Sequence, residues 1–200
     1  FDVPAPAAVT TTLVSTLAIC LAGSVSHYYR GSMDIRAGLV FSVSGIAGAF
    51  TGAGLTSLVT SKALKLSFGV YCIFVALIMI YRIMSRNNKE NNPAPLNSGM
   101  RKILKGTFFG FMGGMVTGAF GTSGAAPVMA GLFSIRTPMA LVAGTSLMIV
   151  FINTIAAMGA HFVVGEIDLT LVCFLASGSV IGSLLGPVAL AGVNLNRYEN

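Results

Sequence analysis

The segment best suited to chemistry is Gly121-Thr122-Ser123-Gly124-Ala125-Ala126-Pro127. It places two hydroxyls between two glycines, with a proline three residues after the second, inside a run that is otherwise apolar. Such a segment can stop one helix and start another. A restarting helix presents free backbone N–H groups and the positive end of its dipole, which suits an anion. The plainer reading is a kink, a common feature of proline-containing membrane helices. On sequence both stand open.

A second set of polar groups lies deeper in the apolar runs. Gly144-Thr145-Ser146, echoed by Thr10-Thr11-Thr12, puts hydroxyls about two turns into two such runs. A serine or threonine there usually bonds back to its own helix. Two clusters facing a shared axis would instead offer donors to a polar substrate. Asn153, mid-run and able to donate and accept, is a further candidate. With Gly121, Thr122, Ser123 and Gly124, the residues Thr11, Thr145, Ser146 and Asn153 form the expected substrate site.

His27-x3-Gly31-x2-Asp34 recurs as His161-x3-Gly165-x2-Asp168. Glycine ending one helix and aspartate capping the next accounts for part of this pattern. Capping does not account for the repeated histidines. Imidazole changes charge near neutral pH, so His27 and His161 are candidates for coupling proton movement to transport.

The elements that must hold these residues follow from hydrophobicity. The 200 residues are 54% hydrophobic and 9% charged, against roughly a quarter charged in a soluble domain. The charges fall between or at the ends of long apolar runs, as a bilayer enforces. This composition excludes a water-soluble globular domain and implies an all-α, polytopic helical bundle in a cell membrane. The runs occupy roughly 5–27, 37–60, 64–84, 103–134, 138–162 and 169–193, each about the length of a span or longer. Thr137-Pro138 and the aspartates Asp34 and Asp168 stand where helices would start.

Basic residues concentrate between Arg82 and Lys105, in an Asn-rich stretch that the positive-inside rule assigns to the cytoplasm. Nothing interleaves these cations with stacking aromatics, so the net charge of +6 does not point to nucleic acid. Cys20, Cys72 and Cys173 lie in apolar runs without metal-ligand spacing, which fits buried structural thiols. No metal, nucleotide or organic cofactor is required, and the absence of a Walker loop argues against ATP hydrolysis by this chain. The oligomeric state cannot be read.

Sliding the sequence by 134 positions pairs Pro4 with Pro138, Thr11 with Thr145, His27 with His161 and Asp34 with Asp168. It also pairs Gly48 with Gly182 and Gly52 with Gly186. The expected organisation is a first repeat over 1–84, a basic cytoplasmic linker over 85–102 and a second repeat over 103–200. The counterpart of run 103–134 would lie upstream of Phe1 and that of run 64–84 near Tyr198, so the sequence is expected to be the middle of a longer parent, short of a segment at each end. Duplication is the usual construction of secondary transporters. The copies are parallel if run 103–134 crosses once and inverted if it is a re-entrant hairpin; the charges lean towards inversion. Gly106, Gly110, Gly114 and Gly118 give that run one smooth face for close helix packing.

GAFGTSGAAP, TPMALVAGTS, HFVVGEIDL and ASGSVIGSLLG, with HYYRGSMDI and SGIAGAFTG in the first copy, resemble the sulfite exporter TauE/SafE family of membrane permeases. The resemblance covers most of the chain. It implies two related halves of about four helices each and movement of sulfur-containing anions such as sulfite or sulfonates across the cytoplasmic membrane. The family tends to carry a denser glycine cluster or prolines directly after GTSG, where this chain has Ala125-Ala126-Pro127. No Lys or Arg is expected mid-membrane, so backbone N–H groups and hydroxyls near Gly121–Gly124 and Thr145–Ser146 would hold the anion.

Two other functions compete. Gly121-Thr122-Ser123-Gly124 also matches the G-x-S-G pattern of rhomboid intramembrane serine proteases, with Ser123 as nucleophile and His161 as base. That match is four residues long, and His161 has a twin in His27 that a protease does not need. The other reading is an accessory membrane protein without transport. It gains ground if Thr11, Thr145, Ser146 and Asn153 all face packed helices.

Overall fold

The computed structural model describes residues 5–86 and 99–164. Most of the linker, the sixth apolar run and the second His-Gly-Asp corner beyond His161 lie outside the described residues. Six helices follow in order: α1 (Ala5–Tyr29), α2 (Ile35–Leu58), α3 (Ser61–Arg86), α4 (Gly99–Phe120), α5 (Ala125–Ser134) and α6 (Met139–Val164). Five of them are long and apolar enough to cross a membrane; α5, with ten residues, is not. The chain is a polytopic helical membrane protein.

The corner between α1 and α2 forms as its residue types dictate. Gly31 adopts a left-handed φ of 64°. The Gly31 N–H then donates to the Tyr28 carbonyl at 3.0 Å and the Ser32 N–H to that of His27 at 3.1 Å, closing a Schellman motif. Asp34 next accepts from the Ala37 N–H at 3.1 Å and caps α2. At the start of α6 the first helical residue is Met139. Pro138 sits just ahead, its carbonyl accepting from the Val142 N–H at 3.2 Å.

Helices α2 and α4 run parallel in close contact. Going along both, Gly106 meets Phe41, Gly114 meets Gly45 and Gly118 meets Ala49. A methyl group at Gly114 would stand 2.6 Å from the Gly45 carbonyl carbon, and one at Gly52 would stand 2.9 Å from the Ala119 nitrogen. The glycine face is therefore a seam between two backbones. In lipid such contact replaces the hydrophobic drive that water would supply.

Run 103–134 is a hairpin. After α4 the chain reverses at Gly121–Gly124, and α5 returns beside it: Val128 packs on Gly113, and Gly131 on Phe109 and Phe41. At 1.5 Å per residue α5 reaches only about 15 Å, half of a bilayer core. Phe41, Val128, Leu132, Ile135, Val142 and Ile149 form the apolar cluster that holds α5 against α2 and α6.

Helix α6 runs with α2 and α4: Thr145 lies by Asp34 and Gly38, Asn153 by Gly45, and His161 by Gly118. Helix α1 runs the opposite way along α6, with Gly23 on Leu147 and His27 on Gly144. These are the two helices that the 134-residue self-similarity pairs. Helix α3 is peripheral. Leu64 is buried and Tyr71 and Val75 are half-buried, but most of its other described apolar side chains are exposed; Cys72 is exposed there, not buried as expected, and Cys20 is buried. Phe68 and Tyr71 of α3 pack on Phe120, with ring centroids 5.4 and 5.7 Å away.

Charge divides between the two ends. Arg30, Arg36, Arg82, Arg86, Arg101, Lys102 and Lys105 lie at the end where α2 and α4 begin, while Lys62 and Lys65 lie at the other.

Candidate functional site

The reversal between α4 and α5 requires two residues in the left-handed region, Gly121 with φ 66° and Gly124 with φ 55°. Side chains are excluded at both. A Cβ on Gly121 would stand 2.9 Å from the Val9 Cα of α1, and one on Gly124 would stand 3.1 Å from the Gly113 carbonyl carbon.

A helix ended inside a membrane leaves carbonyls that water cannot reach. Here other helices supply the donors. His161 Nε2 lies 2.8 Å from the Gly118 carbonyl oxygen. That oxygen can only accept, so Nε2 carries the proton. Thr56 Oγ1 of α2 donates to the Ala119 carbonyl at 3.1 Å, while the Thr117 carbonyl is met within the chain by the Gly121 N–H at 2.9 Å. Gly124 gives α5 no side-chain cap, so the positive end of that half-helix faces the turn.

Gly121, Thr122 and Ser123 line a cavity of about 520 Å³ together with Thr12 and Thr16 of α1 and Lys65 of α3. Ala8, Val9, Leu64, Phe68 and Phe120 complete its walls. Hydroxyls from two segments, the backbone of the turn and one lysine thus line an otherwise apolar pocket. Thr12 bonds back to the Val9 carbonyl at 2.8 Å, which leaves its oxygen lone pairs available to accept.

The other expected site residues are elsewhere. Thr11, Thr145, Ser146 and Asn153 are all buried among packed helices and none lines this cavity, the arrangement that counts against a substrate site at these four residues and towards the accessory reading. Thr145 is completely buried at the opposite end of α2, where its hydroxyl accepts from the Asp34 backbone N–H at 2.8 Å. It ties α6 to the α1–α2 corner. Ser146 bonds back to the Ala143 carbonyl at 2.9 Å. Asn153 is 1% exposed, halfway along α6 against Gly45, and among the described residues neither end of its amide has a hydrogen-bond partner, nor does the buried Ser42 hydroxyl on α2.

The histidines differ in partner. His27 Nδ1 lies 2.8 Å from Ser32 Oγ at one end of the bundle, while His161 holds the break near the other. Ser123 makes no hydrogen bond with His161, whose Nε2–H is committed to Gly118, so the pair required by the protease reading is not assembled.

Sequence reasoning missed Lys65 and Thr16. Lys65 is one of two cations flanking an apolar run. Only the placement of α3 against Phe120 brings it beside Gly121–Ser123.

Spanning helices around a short half-helix, with a mostly apolar pocket beside the turn that precedes it, make this a multi-pass membrane protein. The family model described as Sulfite exporter TauE/SafE matches residues 1–197. The chain therefore belongs to the sulfite exporter TauE/SafE family of membrane transporters. It is 25% identical to the "Probable membrane transporter protein YdhB" of Bacillus subtilis (strain 168), over 93% of this chain and 75% of that protein. It is 22% identical to the "Probable membrane transporter protein YunE" of the same organism, over 92% of this chain and 72% of that protein. A "Probable membrane transporter protein" of Xylella fastidiosa (strain 9a5c) is 27% identical over 72% of this chain and 54% of its own length. No solved structure matches.

Proposed function

We propose that this chain is a secondary permease for small anions, sulfur oxyanions such as sulfite or sulfonates being the class that the family description suggests. The observation that carries the reading is the chamber at the α4–α5 turn. Gly121, Thr122 and Ser123 line it beside the start of α5, with the Thr16 hydroxyl on α1, while the Thr12 proton is already given to its own helix. Backbone N–H groups at a helix start and hydroxyl donors bind oxyanions without trapping them, as a carrier requires.

The charge division supports placing the start of α2 and α4, and the 85–102 linker, in the cytoplasm. The chamber then opens outwards. Thr145 and the α1–α2 corner close the inner end, with Gly144 packed against Ser32 and Met33. The opposed run of α1 and α6 and the α4–α5 hairpin support inverted repeats, 1–84 and 103–200. His27 and His161 then stand near opposite membrane faces, as a pair coupling protons to transport would.

The test is flux in liposomes containing the purified protein, loaded with sulfite, a sulfonate or chloride, with and without a pH gradient. Saturable, anion-selective efflux is expected. No flux of any anion from folded protein would leave the accessory reading in its place.

A further inference from the structure

We propose that Lys65 is the residue by which the chamber selects anions over neutral solutes. This rests on the reading of the chamber as a transport site. The other polar groups of its lining are hydroxyls and backbone dipoles. A hydroxyl donates and accepts equally well, so such a lining alone would take an amide or a polyol as readily as an oxyanion. Lys65 is the one ionisable group among the lining residues.

Its position runs against helix electrostatics. Lys65 and Lys62 occupy the first two turns of α3, where the macrodipole is positive and cations are disfavoured. No acidic residue stands in the first turn to offset them. Among the described residues the only carboxylate, Asp34, lies at the far end of α2. Among the described residues, Lys62 and Lys65 at the start of α3 are therefore the formal charges at this end of the bundle. Lys65 is exposed, and its aliphatic stem can lie along Leu64 and Phe68, which share the chamber wall. From there its head reaches the mouth, a point charge on a flexible stem that can meet an anion and release it.

The experiment is concentration-dependent sulfite efflux from liposomes holding wild-type protein, Lys65→Gln, Lys65→Arg or Lys62→Gln, each at low and high ionic strength. Lys65→Gln is expected to raise KM about tenfold at low salt with little change in maximal rate, the scale of one near-surface charge pair. High salt should shrink that difference, Lys65→Arg should restore KM, and Lys62→Gln should shift it far less. An unchanged KM in Lys65→Gln, or an equal rise in Lys62→Gln, overturns the assignment while wild-type flux leaves the chamber reading intact. Absence of flux in the wild type overturns both.

Discussion

His161 Nε2 donates across 2.8 Å to the carbonyl of Gly118, forty-three residues earlier in the chain. Gly118 lies in the last turn of α4, so this bond closes a backbone group that the reversal at Gly121 would otherwise strand. The histidine thereby sets the geometry of the turn without lining the chamber. Removing its donor should leave the carbonyl unpaired, at a cost of roughly 1–3 kcal/mol. His161→Leu should accordingly lower thermal stability in detergent, and His161→Gln, whose amide can reach a similar acceptor, should recover part of it. Equal stability of the two variants would show that the bond contributes nothing.

Thr145 belongs to the opposite end. Its hydroxyl satisfies the Asp34 N–H, a donor that α2 cannot satisfy for itself. Thr145→Val should destabilise the protein by roughly 1–3 kcal/mol, and Thr145→Ser by much less. If the corner is the inner closure, Thr145→Val should also raise cysteine labelling at position 32 from the cytoplasmic side, in a Ser32→Cys background. Unchanged labelling with unchanged stability would remove both roles from Thr145.

Asn153 carries two unpaired polar atoms at the middle of the α2–α6 contact. A purely structural protein would gain by losing them, since an unsatisfied buried amide costs more than an apolar replacement of similar shape. Asn153→Leu is expected to keep or raise thermal stability while depressing efflux. Full efflux in that variant would mark the amide as idle.

The two classes of glycine should part company under one substitution. Gly114→Ala places a methyl group against the Gly45 backbone and should weaken or abolish folding, whereas Gly69 has nothing within 4 Å and should accept alanine within about 1 kcal/mol. Yield of monodisperse protein after detergent extraction reads the difference. Equal yields would mean that α2 and α4 separate easily.

What the sequence made legible was whatever a local rule governs. The charges marked the span ends, Gly31 and Asp34 marked the first corner, and the spacing of Gly106, Gly110, Gly114 and Gly118 marked a packing face. The possibility of a hairpin was visible in Gly121–Pro127, but the choice between kink and reversal needed Val128 to be found against Gly113. Roles set by distant neighbours were hidden. Thr145 read as a substrate ligand because nothing local reveals that Asp34, 111 residues away, takes its hydroxyl. Lys65 read as a flanking cation because its neighbours at 121–123 come from another part of the chain. The twin histidines were evident as a pair, yet their different partners, Ser32 and Gly118, depend on tertiary placement.

The opposed course of α1 and α6 has a consequence for direction. On the proposed reading as a carrier, a solute passing between these two helices would meet one of them from its beginning and the other from its end. Related sequences then offer it similar footholds in reversed order, and no ratchet is written into the route itself. Such a passage would be even-handed: whether a carrier of this build emptied a cell or filled it would be decided by which compartment held more of the solute, and by any proton that travelled with it.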